Sequence, residues 1–239
     1  MSKAIRKFLL SMIAPALLLV SGGVSASGAS VDVHVDIDLG NQAALQRGAR
    51  TFVNYCVSCH SAKYMRYSRM AEDIGLNEEL VEANMLFTGR KVTDHMLVAF
   101  DPEDAKRWLG QAPPDLTLVA RSRGPDWIYA YLTSFHRDAD RPWGVNNPIL
   151  PGTTMPAVLS GLQGEQEMDA DGHLHSVTEG ELSEAEFNDL VKDLVSFLVY
   201  IGEPAKLVRG SLGVKVILFL MVFTFLAYLL KREYWKDVH

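Results

Sequence analysis

Apolar residues recur at three- and four-residue steps in three stretches of the chain, and each stretch predicts a helix with one buried face. Leu45, Ala49, Phe52, Val53 and Cys56 form the first. Trp127, Ile128, Tyr131, Leu132 and Phe135 form the second, started by Pro125, whose fixed φ suits a first helical position. Phe187, Leu190, Val191, Leu194, Phe197 and Leu198 form the third. Ser183-x-x-Glu186 gives that helix a capping box, and Gly202 before Pro204 ends it. A shorter helix is predicted from Asp101-Pro102 to Gly110. Strand signals are few and no internal repeat is present. Between Arg141 and Gly161 stand Pro142, Gly144, Pro148, Pro151, Gly152, Pro156 and Gly161, which exclude a regular helix and predict a long loop. Loops of that length are uncommon unless they are functional.

The pattern changes at both ends. Lys3, Arg6 and Lys7 precede an apolar run from Phe8 to Val20, and small residues follow from Ser21 to Ala26. This is the charged, apolar and small-residue order of a secretory signal peptide. Val24-x-Ala26 predicts cleavage after Ala26, with Ala29 as the alternative. The run is too short to span a bilayer, which needs ~20 residues. Near the other end, Leu212 to Leu230 is apolar but for Lys215 and has no polar face. Nineteen residues at ~1.5 Å each cover ~28 Å, the hydrocarbon thickness of a membrane. Lys215 lies close enough to the first end to snorkel. Lys231, Arg232 and Lys236 follow, with Tyr234 and Trp235 among them, a positive-inside flank with interfacial aromatics. The expected organisation is a signal peptide at 1–26, an exported body at 27–205 and a membrane anchor with a short cytoplasmic tail at 206–239.

The body has about 180 residues, enough for one domain with a real core. The formal net charge is -6, and both tails are basic, so the body is more acidic than the whole. This argues against nucleic acid as a partner and favours a basic protein.

The chemistry is concentrated in Cys56-Val57-Ser58-Cys59-His60, a C-x-x-C-H sequence, the attachment site of a covalent c-type haem. Positions three apart share a helical face, so both thiols can reach the vinyl groups of one porphyrin. His60 then falls under the ring as a proximal iron ligand. Cys56 and Cys59 are the only cysteines, so a zinc site would need other ligands, and the spacing of His34, His95, His136, His173 and His175 suggests none. A thioredoxin-like pair should follow a strand, whereas the upstream pattern here is helical. Haem attachment fits export, and it consumes both thiols that a disulfide would need.

A second axial ligand is expected from the long loop, whose centre holds Met155-Pro156. A thioether opposite a histidine raises the reduction potential. On chain features alone Met65, Met70, Met85, Met96, His95 and His136 compete with Met155, because a methionine is usually core filler.

Four stretches together resemble the cytochrome c1 family, the haem c subunits of the cytochrome bc1 complex (ubiquinol–cytochrome c reductase). The first is Arg47-Gly48-Ala49 leading through the haem motif to Tyr67. The second is Ala112-Pro113-Pro114-Asp115-Leu116, followed by Arg121 and Arg123. Asn147-Pro148 and Pro151-Gly152 leading to Met155-Pro156 form the third, and Gly202-Glu203-Pro204 with the span and Lys231-Arg232 the fourth. The resemblance implies a mainly α, cytochrome c-like haem domain with long loops plus one C-terminal transmembrane helix. It implies one covalent haem c, with Met155 as sixth ligand, Pro114 in the wall over the haem edge, and Arg123 or Arg121 on a propionate. A guanidinium suits a carboxylate through two parallel hydrogen bonds. It also implies a redox subunit with no catalysis in isolation, in the inner membrane with its haem domain in the periplasm. Its partners would be cytochrome b and a Rieske iron–sulfur protein, in a complex that is a dimer, with a cytochrome c as electron acceptor. Two other readings are a free-standing anchored cytochrome feeding an oxidase, and a haem enzyme or sensor with an open sixth site.

The stretch holding Glu165, Glu167, Asp169, Asp171, Glu179 and Glu181, with His173 and His175, fits the family pattern poorly. It is either an acidic docking patch for a basic cytochrome or a solvated loop. His173-x-His175 supplies two metal donors without a third.

Overall fold

The computed structural model describes residues 31–236 except 88, 99 and 100. The expected signal peptide and both candidate cleavage positions lie outside the described residues. In chain order the elements are α1 (Gln42–Tyr55), β1 (Ala62–Arg66), α2 (Tyr67–Ile74), α3 (Glu78–Met85), β2 (His95–Met96), α4 (Pro102–Leu109), α5 (Val119–Arg123), α6 (Pro125–Thr133), β3 (His136–Arg137), β4 (Val145–Asn146), α7 (Ser160–Gln163), β5 (Gln166–Met168), β6 (Leu174–Ser176), α8 (Glu184–Gly202) and α9 (Lys206–Tyr234). The described strands form three separate antiparallel pairs, β1 with β2, β3 with β4 and β5 with β6. The mainly helical class expected from the sequence is what the fold shows.

The core is built on the crossing of α1 and α8. Gly48 sits where the two helices touch: a Cβ there would lie 2.1 Å from the Asp193 carbonyl oxygen and 2.7 Å from Phe197 Cβ. The missing side chain lets the backbones approach, and Phe52 and Phe197 then meet with ring centroids 5.5 Å apart. At the rim of the contact Arg47 Nε donates to Asp193 at 2.5 Å. Leu45, Phe52, Phe187, Val191, Leu194 and Phe197 are all buried at this seam, the faces their spacing predicts. Tyr200 ties α8 to α2, its buried hydroxyl donating to Asp73 Oδ2 at 2.9 Å.

Local signals match the helix ends. Asp101 caps α4 through the Glu103 amide, and Gly110 closes it in the left-handed region at φ 79°. The Ser183–Glu186 capping box is formed reciprocally at the start of α8. One helix is shorter than its pattern: α6 ends at Thr133, before Phe135. The Gln163 and Gln166 side chains donate to the freed Thr133 carbonyl at 2.9 Å, and the chain turns into β3. Phe135 stays buried all the same, edge-on to Tyr131 at 5.1 Å.

Helix α9 is the one described helix long and apolar enough to cross a membrane, and none of its apolar window is buried against the body. It extends beyond the apolar run at both ends and begins four residues after α8 stops.

The acidic stretch is a β-hairpin, β5–β6, rather than an irregular loop. Its base is clamped by two glycines: a Cβ on Gly164 would lie 2.2 Å from the Thr178 carbonyl oxygen, and one on Gly180 2.2 Å from that of Leu162. Its acids are partly neutralised. Arg137 pairs with Glu165 and, at 3.3 Å, with Glu167. Asp169 accepts from His175 at 2.8 Å and from the His173 amide at 2.8 Å. These bonds hold the Asp169 carboxyl down at about 2, the His175 contact first. No group of three or more metal-ligating side chains occurs among the described residues.

Candidate haem-binding site

The C-x-x-C-H motif continues α1 as one more turn. The Cys56 amide donates to the Phe52 carbonyl at 2.9 Å, and the Cys59 and His60 amides donate back to the Cys56 carbonyl at 3.0 and 2.8 Å. The two thiols are therefore presented from a single turn, and both are free. Cys56 is buried, and that burial pushes its thiol up to about 12.

His60 is oriented from the second motif. Its Nδ1 lies 2.8 Å from the Pro114 carbonyl oxygen. A carbonyl only accepts, so Nδ1 carries the proton and Nε2 keeps its lone pair. Burial lowers the imidazole below its ordinary value, against the opposing pull of Pro114 and Asp115, which favours the neutral form a metal needs. Pro114 is itself held by a stitch of backbone contacts. The Leu116 amide donates to the Ser61 carbonyl at 2.8 Å, and the Lys63 amide to Asp115 Oδ2 at 2.8 Å. The Ala112–Leu116 segment thus runs beside the residues that follow the motif.

Met155 packs, half-buried, against the same hydrophobic cluster that contains Cys56 and Val57. It also lines a small cavity with Leu132, Phe135, Val158 and Leu159. Its backbone is braced by residues for which the sequence offered little signal. The Met155 amide donates to Thr153 Oγ1 at 3.3 Å, and the Tyr131 hydroxyl shares a 2.7 Å hydrogen bond with the same oxygen. Asn147, 1% exposed, donates from Nδ2 to the Tyr131 carbonyl at 2.7 Å and accepts the Ile149 amide at 2.9 Å. Asn146 Oδ1 accepts the Gly152 amide at 2.9 Å, and Arg141 Nη2 donates to the Gly152 carbonyl at 2.6 Å. Asn147-Pro148 belongs to the third stretch that carries the family resemblance. Nothing in the periodicity marked the polar ends of Tyr131, Thr153 or Arg141.

The competing methionines lie inside the cluster that Met155 packs against. Met65, Met70 and Met96 are core residues at 2%, 0% and 0% exposure, and Met85 is buried as well. His136 is buried in the β3 strand, and His95 lies in β2. The two arginines also differ. Arg121 pairs with Glu203 at 2.9 Å. Arg123 lies over the Trp127 ring at 5.0 Å.

The donor set fits a covalent haem. Two free thiols and a neutral imidazole leave one turn, and a half-buried thioether packs on the same apolar cluster. Arg141 Nε is a buried N–H with no protein acceptor, in the loop that carries Met155, where a carboxylate-bearing group would satisfy it.

Comparison with known proteins agrees. The Cytochrome C1 family model matches residues 37–238. A cytochrome c1 from Allochromatium vinosum is 47% identical, covering 98% of this chain and 100% of the relative. A protein of Nitrosomonas europaea named ammonia monooxygenase gamma subunit is 42% identical, covering 94% of this chain and 96% of its own length. A cytochrome c1 from Rhodospirillum rubrum is 27% identical, covering 93% of this chain and 94% of the relative.

Proposed function

The chain belongs to the cytochrome c1 family, whose members carry a covalently bound haem c, and from that premise we propose that it relays single electrons from a Rieske iron–sulfur protein to a cytochrome c. It is a membrane-anchored electron-transfer subunit of a bc1-type complex; the donor, the acceptor and the ligand set are the proposal. The observation that carries it is the His60–Pro114 contact, because it fixes which imidazole nitrogen is free for iron.

The haem supplies the one-electron couple when bound. Cys56 and Cys59 would hold the porphyrin as thioethers. His60 Nε2 and Met155 Sδ would hold the iron, a donor pair suited to electron transfer rather than substrate chemistry. The Asn146, Asn147, Tyr131 and Thr153 brace would keep the thioether in place in both oxidation states, limiting reorganisation. Arg121 already serves Glu203, so Arg123, together with the Arg141 Nε that lacks a protein acceptor, would meet the haem propionates. The body would face the periplasm, with the basic Lys231–Lys236 end of α9 in the cytoplasm.

The test is mild detergent extraction of the tagged complex. Co-purification with a b-type cytochrome and an iron–sulfur protein is expected, with the red-region charge-transfer band of thioether-ligated ferric haem in the spectrum. Haem lost to acid–acetone would end the covalent assignment. A haem protein that purifies without a b-type partner would instead favour the free-standing carrier.

A further inference from the structure

We infer that the cleft where the body meets α9 binds the phosphate of an anionic phospholipid headgroup. The cleft has a volume of about 320 Å³ and is lined by Ile37, Ala120, Pro125 and Val199 on its apolar side and by Arg121, Glu203 and Lys206 on its polar side. Glu203 pairs with Arg121 at 2.9 Å and also with Arg209. Two guanidiniums, Arg121 on the cleft wall and Arg209 beside it, therefore share one carboxylate, Lys206 adds a third positive charge to the wall, and the group keeps a net positive charge.

Depth selects a lipid as the occupant. The apolar run of α9 begins at Leu212, three residues beyond Arg209 and six beyond Lys206. At ~1.5 Å per residue the two cations stand ~4.5 and ~9 Å outside the hydrocarbon edge. The headgroup layer is ~5–7 Å thick on each side, so Arg209 lies within it and Lys206, ~2 Å beyond, reaches it through its flexible stem. These cations also lie on the flank that the positive-inside rule leaves poor in Lys and Arg, so topology does not account for them. A phosphate can take parallel N–H donors from a guanidinium and a point charge from Lys206, while the apolar wall accepts the glycerol end. The inference rests on α9 spanning the membrane and is independent of the iron ligands.

The test uses the full haem-loaded chain in detergent micelles, with native mass spectrometry of retained lipid. Dioleoylphosphatidylglycerol and dioleoylphosphatidylcholine are offered at equal mole fraction, and inorganic phosphate is added as a competitor. Phosphatidylglycerol should be retained about tenfold over phosphatidylcholine, the scale expected for one or two cations near a phosphate. Lys206→Gln with Arg209→Gln should abolish that preference, with haem content and melting temperature unchanged. Glu203→Gln should strengthen it, because the counter-charge is gone. An unchanged preference in the Lys206/Arg209 double variant would overturn the site. Displacement of the lipid by millimolar inorganic phosphate would overturn the lipid assignment in favour of a soluble phosphate. Retention of neither lipid by any form would overturn the site together with the anchor.

Discussion

The bond between Tyr131 and Thr153 is the sharpest place to test whether the Met155 loop is held by its polar brace. Thr153→Val keeps the shape of the side chain and removes one oxygen. That oxygen now has two partners: it shares a hydrogen bond with the Tyr131 hydroxyl at 2.7 Å and accepts the Met155 amide at 3.3 Å. Both residues of the first bond are buried, Tyr131 at 8% and Thr153 at 7% exposure, so water replaces the lost partner poorly. A buried polar group left unpaired costs ~1–3 kcal/mol, and the valine variant leaves one in full and weakens a second, for ~2–4 kcal/mol. Tyr131→Phe removes one donor but leaves Thr153 its contact with the Met155 amide, and should cost about 1 kcal/mol. The double variant has no orphaned phenol, so it should be less destabilised than the sum by ~1–2 kcal/mol. Denaturant unfolding of the haem-loaded chain in detergent, followed by far-ultraviolet dichroism, measures all four corners of the cycle. The charge-transfer band should weaken in Thr153→Val at neutral pH, reporting on the loop independently of global stability. Additivity within about 0.5 kcal/mol would refute the coupling, since independent sites add to that tolerance.

Other consequences are separately measurable. Met155→Leu should leave haem covalently attached while lowering the midpoint potential by about 0.1 V or more, within the ~0.8 V that axial ligands span; redox titration at an unchanged potential would redirect the search to the remaining Met and His residues. Gly48→Ala should destabilise the body by ~1–3 kcal/mol or block folding, because its Cβ would lie 2.1 Å from the Asp193 carbonyl oxygen and helix backbone cannot yield as a side chain does; a wild-type unfolding midpoint would contradict the close crossing. Asp169, with its carboxyl held down at about 2, contributes order to the hairpin tip that is fully present above the ordinary carboxylate range, ~4, and lost as pH falls through its folded value; amide exchange at residues 169–175 should therefore rise between those limits. Stopped-flow electron transfer to a basic cytochrome c should slow as the screening length falls from ~30 Å at 0.01 M salt to ~10 Å at 0.1 M. Neutralising Asp171, Glu179 and Glu181 should flatten that dependence more than neutralising Glu165 and Glu167, which Arg137 already offsets.

Much of the fold was legible because it is written locally. The faces of α1 and α8 follow from three- and four-residue spacing, and the ends of α8 from a capping box and from Gly202 before Pro204. The candidate membrane helix follows from an apolar run that only Lys215 interrupts. The failures share a different cause. Phe135 continued the α6 spacing, yet the helix stops two residues earlier because glutamine side chains from a distant segment take over its last carbonyl. The acidic stretch read as a charge run, yet a guanidinium 28 residues upstream and two glycine contacts fold it into a hairpin. In both cases the deciding partner is remote in sequence.

The two sides of the candidate haem site differ in the same way. The thiols and imidazole lie within five consecutive residues, and a helix turn alone converts that spacing into geometry. Even so, the imidazole's tautomer is set from 54 residues away, by the Pro114 carbonyl. On the other side a single methionine was visible, and its Pro/Gly-rich surroundings excluded a helix without saying what held the loop instead. The answer is that Asn146, Asn147 and Arg141 side chains bond the loop backbone, while Tyr131 of α6 presents its ring to the core and its hydroxyl to the Thr153 side chain. Arg121 carries the same lesson with the opposite outcome. By position it was as good a propionate partner as Arg123, but Glu203, at the start of the link to α9, has engaged it. One arginine therefore pairs at the junction with α9 and the other lies over the Trp127 ring, a difference that the spacing of the two could not reveal.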